Sequence, residues 1–271
     1  MVDWWIAAVL GIVEGVTEFL PVSSTGHLIL VGNLLGFSGE KAACFDVFIQ
    51  LGAIFAVVCL YYYRFVGLIP VQGFSGFARQ GFSGIRGLTL LAVTTLPALL
   101  IGAFAHKAIK QYLFGPMTVV WALGIGGIAI ILVEKFKPES SVEELDGLSC
   151  KQALAIGLFQ ILAMWPGVSR SAATIVGGML SGLNRKVAAE YSFLAAVPVM
   201  VAATGYDLYK EWRFLSVSDI GFFAVGFVVS FVSAALAVKT FISLVQRWSL
   251  APYAWYRIAV ACVVYLMLVS H

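Results

Sequence analysis

Two stretches decide how this chain folds: Glu14-Gly15-Val16-Thr17-Glu18-Phe19-Leu20-Pro21-Val22-Ser23-Ser24-Thr25-Gly26-His27 and Pro166-Gly167-Val168-Ser169-Arg170-Ser171-Ala172-Ala173-Thr174. Each is a polar, proline-bearing break between two short apolar runs, 4–13 and 28–37 around the first, 153–165 and 172–183 around the second. A helix rises about 1.5 Å per residue and the hydrocarbon core is about 30 Å thick, so a crossing needs roughly 17 to 25 apolar residues. These runs are too short, and the two breaks read as tips of re-entrant helix-turn-helix hairpins. Irregular backbone at membrane depth is stable only inside protein or beside a wet cavity, so the tips should meet something polar.

The rest of the chain supplies the membrane for those tips to sit in. Of 271 residues 61% are apolar and 11% charged, with mean hydropathy +0.96, where a soluble domain is nearer 45–50% and about 25%. Six segments are long enough to cross, near 44–63, 88–106, 117–133, 187–208, 219–238 and 253–269. The expected fold is an all-α polytopic membrane protein with six full transmembrane helices plus two re-entrant hairpins, in one membrane domain over 1–271. The net charge of +3 comes without a basic tail or run, so no nucleic-acid partner is expected. Cys44, Cys59, Cys150 and Cys262 lack ligand spacing and are read as packing residues. Met1-Val2-Asp3-Trp4-Trp5 lacks the basic start of a cleaved signal peptide.

The two hairpins are copies. Shifting the sequence by 146 places pairs 7–43 with 153–189 at ten identities in 37 positions, among them Gly11/Gly157, Val22/Val168, Ser23/Ser169 and Gly32/Gly178. The halves are approximately 1–146 and 147–271. A hairpin returns to its starting side, so each half makes three crossings, an odd number, and the second half enters from the opposite face: an inverted-topology repeat. Loops around 64–87, 134–151, 184–187 and 239–252 carry ten Lys/Arg and the other face five, the remaining two being Arg170 and Arg257. The positive-inside rule makes the first face cytoplasmic and puts both termini outside.

Glu14 and Glu18 share one face of a half-helix, and two like charges at low dielectric either share a proton or bind a cation. A divalent ion completed by phosphate oxygens suits them; one protonated Glu bonded to backbone is the other reading. Ser23, Ser24, Thr25 and His27 open the next half-helix, whose N-terminus favours an anion. They offer a hydroxyl nucleophile with an imidazole acid or base, or simply helix caps and a structural histidine. At the second tip Arg170 lies between Ser169 and Ser171, with Thr174 a turn on. Its guanidinium fits phosphate or carboxylate, or pairs with Glu14 or Glu18. This inventory serves phosphoryl transfer and anion transport alike.

At these residues the chain resembles the bacterial undecaprenyl-diphosphate phosphatase family associated with bacitracin resistance, with a Glu-x-x-x-Glu at Glu14–Glu18 and Pro-Gly-x-Ser-Arg-Ser-x-x-Thr at Pro166–Thr174. The resemblance implies an inner-membrane enzyme that converts undecaprenyl diphosphate to the monophosphate carrier of peptidoglycan synthesis, with a site open to the periplasm. It implies Mg²⁺ or Ca²⁺ at Glu14 and Glu18, Ser24 as nucleophile, and His27 as acid, base or rival nucleophile. Arg170, Ser169, Ser171 and Thr174 are implied as phosphate binders, and Ser23 and Thr25 are placed with the substrate. Expected partners are the polyprenyl diphosphate and membrane lipid, with a homodimer left open. A transporter or flippase for a lipid phosphate or small anion is the alternative. Asp46, Gln50, Glu190 and Asp207, near span ends, are expected in the solvated interface, with Glu190 close enough after the hairpin to reach the second tip. Trp4, Trp5, Tyr61–Tyr63, Trp212 and Trp248 read as interface anchors, and the 73–87 loop with Arg79 as an ordinary connection.

Overall fold

The structure, a computed structural model, describes residues 4–69, 81–113, 115–211 and 219–270, and of 106–108, 110 and 211 the backbone alone. Trp212, Arg79, Arg213 and the side chains of Lys107 and Lys110 lie outside the described residues. The described elements are helices: α1 Trp4–Thr17, α2 Ser24–Leu34, α3 Glu40–Leu60, α4 Tyr62–Val66, α5 Gly84–Leu113, α6 Pro116–Phe136, a 3₁₀ turn Leu145–Gly147, α7 Cys150–Leu162, α8 Arg170–Leu180, α9 Arg185–Glu211, α10 Ile220–Val245 and α11 Ala251–Val269. Six of them, α3, α5, α6, α9, α10 and α11, are long and apolar enough to cross a membrane, as the segment lengths predict. α10 runs beyond the expected 238 through Lys239 to Val245, and α5 beyond 106 to Leu113. A charged side chain at a helix end can reach the interface without ending the helix, so hydropathy understates both lengths.

The four helices that flank the tips, α1, α2, α7 and α8, have 14, 11, 13 and 11 residues, about 21 Å at most by the helical rise. α1 and α2 begin 146 residues before α7 and α8, and α2 and α8 end at the same offset. α1 packs chiefly on α10 and α7 on α5. Glycine makes both approaches close: a Cβ on Gly11 would stand 2.7 Å from the Gly226 carbonyl oxygen, and one on Gly157 2.6 Å from that of Thr94. The identity of these two positions therefore has a packing cause.

Many large apolar side chains, among them Phe104, Trp121 and Leu236, are largely exposed, as expected where the surrounding solvent is lipid. Among the anchors, Trp4, Trp5, Tyr62, Tyr63 and Trp248 are exposed. Cys44 is buried, but Cys59, Cys150 and Cys262 are exposed, which corrects the packing reading for three of the four cysteines. The segment after α6 is no open loop: Val142, Leu145 and Leu148 are buried in the core. Arg86 donates to the carbonyls of Gly81, Asp146 and Leu148, and the Asp146 carboxylate accepts from the Phe82 amide at 2.7 Å. The half-buried Glu134 carboxylate accepts from Arg185 at 2.7 Å and from the Leu250 amide at 2.7 Å, joining α6, α9 and the start of α11.

Candidate active site

The backbone at the two tips sets the geometry. Ser23 and Ser169 are the two described non-glycine residues with positive φ, 75° and 74°. Such a conformation costs about 1–3 kcal/mol and persists only where the surroundings dictate it. Each lies one residue before a short helix, α2 or α8, and sends that N-terminus, Ser24 in one case and Arg170 in the other, toward the same space. That space is a cavity of about 590 Å³, bordered at the tips by Glu18, Ser23, Ser24, Thr25, Ser169 and Arg170. Its walls come from α5 and α9 just after Pro97 and Pro198. Proline donates no N–H, so each wall lacks one helical hydrogen bond beside the cavity.

Glu18 joins the tips. Its Oε1 accepts from Arg170 Nη2 at 3.0 Å, and its Oε2 accepts a very short hydrogen bond from Ser24 Oγ. Arg170 is further held by the Ser192 carbonyl at 3.1 Å, by Met200 Sδ at 3.4 Å and by the Phe19 ring, 5.4 Å from its centroid. The guanidinium Nε is buried and has no hydrogen-bond partner. Pairing with Glu18 uses Nη2 alone, and Arg170 also lines the cavity, where its charge faces any anion bound there.

The other candidate residues fall into a supporting layer. Ser171 Oγ donates across the tips to the Leu20 carbonyl at 2.7 Å and lies 3.0 Å from Ser169 Oγ, which caps α8 by accepting from the Ala172 amide. Thr174 Oγ1 donates to the Arg170 carbonyl at 2.9 Å and shares a 2.6 Å bond with Ser192. Neither Ser171 nor Thr174 lines the cavity, and His27 does not either. The His27 ring donates from Nδ1 to the Ser23 carbonyl at 2.7 Å, leaving Nε2 to accept from the Tyr256 hydroxyl at 2.7 Å. The two rings stack with centroids 5.5 Å apart. Both imidazole nitrogens are thereby spent on holding the strained turn.

Glu14 lies behind Glu18, fully buried, and its Oε1 has no hydrogen-bond partner. Asp46 of α3 is within electrostatic reach of it. Among the described residues no group of three His, Cys, Asp or Glu could hold a metal by itself. An ion here would need oxygen from a bound phosphate, a common arrangement for Mg²⁺. The orphaned carboxylate oxygen and the hard donor set fit such an ion.

Several placements go beyond the sequence expectation. Gln50 and Asp207 line the cavity, where α3 and α9 face each other, and Thr204 donates to Gln50 at 3.1 Å. Glu190 pairs with Lys186 at 3.9 Å. Ser192, Met200 and Tyr256 carry no sequence signal for their contacts. Arg257 did carry one, as a lone charge in an apolar span. It is fully buried beneath both tips.

A polytopic helical membrane protein with two helix N-termini, a guanidinium and a serine bonded to a carboxylate on one cavity has the groups that handle a phosphorylated substrate. The chain belongs to the bacitracin resistance protein BacA family, whose profile matches residues 7–263. It is 60% identical over 262 residues to a protein of Maridesulfovibrio salexigens named undecaprenyl-diphosphatase, covering 96% of this chain and 97% of that one. Proteins of the same name from Nitratidesulfovibrio vulgaris and Oleidesulfovibrio alaskensis are 58% and 56% identical, each covering 98% of this chain and 98% and 99% of theirs.

Proposed function

We propose that this protein hydrolyses undecaprenyl diphosphate to undecaprenyl phosphate and inorganic phosphate in the bacterial inner membrane, returning the lipid carrier to peptidoglycan synthesis. The observation that carries this reading is the unbroken chain Ser24–Glu18–Arg170, which links a hydroxyl, a carboxylate and a guanidinium across two tips on one cavity. The relatives' printed name agrees with it.

The diphosphate lies between the two half-helix N-termini, with the Arg170 guanidinium at the cavity wall offsetting its charge and backbone N–H groups around it. Ser24 Oγ attacks the terminal phosphorus in line as its proton passes to Glu18, the group already bonded to it. The bond from that phosphorus to the bridging oxygen breaks, and undecaprenyl phosphate leaves with that oxygen. Water then attacks the phosphoserine, the phosphorus–Oγ bond breaks, phosphate departs and Ser24 regains a proton. Glu14 and Glu18 would hold a divalent ion, Mg²⁺ or Ca²⁺, which when bound neutralises charge on the diphosphate. His27, turned from the cavity, keeps Ser23 in its conformation and does not carry the proton.

A cavity of about 590 Å³ is of small-molecule size, so it takes the headgroup while the isoprenoid tail runs between helices into lipid. The short helices are read as two re-entrant hairpins in an inverted repeat within one membrane domain, with halves near 1–146 and 147–271. The common 146-residue offset and the exchange of partners, α1 on α10 and α7 on α5, support that reading. The same frame would suit a transporter or flippase. Phosphate release from detergent-solubilised protein separates the two, since solubilisation removes any gradient but leaves hydrolysis. The expected result is release that requires a divalent cation and is lost in Glu18→Gln; no release from the wild-type protein would overturn the reading.

A further inference from the structure

Arg257 of α11 is fully buried and has no carboxylate among its described hydrogen-bond partners. A guanidinium has five N–H donors, and here five hydrogen bonds all end on backbone carbonyls. Nη1 donates to Pro21 at 3.2 Å and Val168 at 2.8 Å, Nη2 to Gly167 at 2.9 Å and Ala122 at 3.1 Å, and Nε to Leu123 at 3.3 Å. Pro21 and Gly167 occupy the same place in the two tips, 146 residues apart. One side chain thus grips equivalent carbonyls, each two residues before a strained serine. Gly126 makes room for it: a Cβ there would overlap Nη2 and stand 2.8 Å from Cζ.

We propose that Arg257 is a positioning residue for the reaction, fastening the two tips to each other and to α6 and so setting the separation of Ser24 from Arg170. The inference rests on the phosphatase reading above. Arg257 is absent from the cavity lining, so it acts on the tips through their carbonyls and not on the substrate. A buried ion is costly, and well-packed apolar groups of similar volume often stabilise a fold at least as well. Stability alone therefore does not call for a charge here. Five directional bonds do what apolar packing does not, holding two polar turns whose carbonyls would otherwise lack partners at membrane depth.

The test is Arg257→Lys, which keeps the charge but has three donors and can keep at most three of the five bonds. Gly126→Ala leaves the guanidinium in place chemically but crowds it. Both are purified and assayed for unfolding temperature, for kcat and KM on a polyprenyl diphosphate, and for inhibition by inorganic phosphate. Ground-state binding uses each tip separately, whereas in-line attack needs their relative placement, and a misplacement of about 1 Å can cost roughly 100-fold in rate. Folded Arg257→Lys is expected to lose about 100-fold in kcat, with KM and phosphate inhibition within about three-fold of wild type. Gly126→Ala should show the same split, and the double variant should be less than additive. Wild-type kcat in folded Arg257→Lys, a loss confined to KM, or failure of both variants to fold would each overturn the proposal. An inactive wild-type protein would instead sink the phosphatase reading and this inference with it.

Discussion

Glu18 is where the two tips share one carboxylate, so changing it separates chemistry from packing. Glu18→Gln keeps the shape and can still accept from Arg170, but it is a far weaker base for the Ser24 proton. Loss of a general base costs about 10²–10⁴-fold, and phosphate release should fall by that factor while the unfolding temperature holds. Ser24→Ala tests the nucleophile: a fall of at least about a thousand-fold is expected, and near wild-type turnover would favour direct attack by water. His27→Asn should lower kcat without altering the shape of the pH profile of kcat/KM, and Tyr256→Phe should act in the same direction. Loss of one limb of that profile would restore His27 as an acid or base. The sequence carried the identities of these groups because charge is scarce in this chain and each instance at membrane depth stands out. It did not carry their orientation. The imidazole four residues after Ser23 could face the hydroxyls or the neighbouring helix, and the partner that decides this, Tyr256, is 229 residues away.

At the scale of elements, the six long helices were legible because lipid demands a continuous apolar run, and the two tips because proline and hydroxyl residues interrupt one. The packing between halves was less so: Gly11 and Gly157 recur in register, but only the folded chain shows them against the carbonyls of Gly226 and Thr94. The burial of Val142, Leu145 and Leu148 was hidden for a plainer reason, since Glu139, Glu143, Glu144 and Asp146 mask them. The strained turns make an element-level prediction. Ser23→Gly removes the side chain that disfavours positive φ, so it should stabilise the protein by up to about 1 kcal/mol, read as a higher unfolding temperature. It also lets the turn sample other conformations, so kcat should fall even as stability rises. If both rise together, the strain at Ser23 has no part in the reaction.

For the whole molecule, the cavity and the packed 142–148 segment set opposite ends. From the tips the cavity follows α9 from Val199 to Tyr206 and Asp207, and α5 to Ala103, toward the end where those helices finish. The other end holds the start of α7, the packed Val142, Leu145 and Leu148, and the Glu134 cluster. The excess of Lys/Arg lies at that second end, which the positive-inside rule assigns to the cytoplasm, so the cavity would face the periplasm. The exposed Cys150 at the start of α7 reports on this directly. In a protein with Cys59 and Cys262 replaced by Ser, leaving only buried Cys44 besides, a maleimide that does not cross membranes should leave Cys150 unlabelled in intact spheroplasts and label it after permeabilisation. Tyr206→Cys in that background should label from outside without permeabilisation. The reverse pattern would turn the molecule over, and a diphosphate headgroup would then have to enter from the cytoplasm.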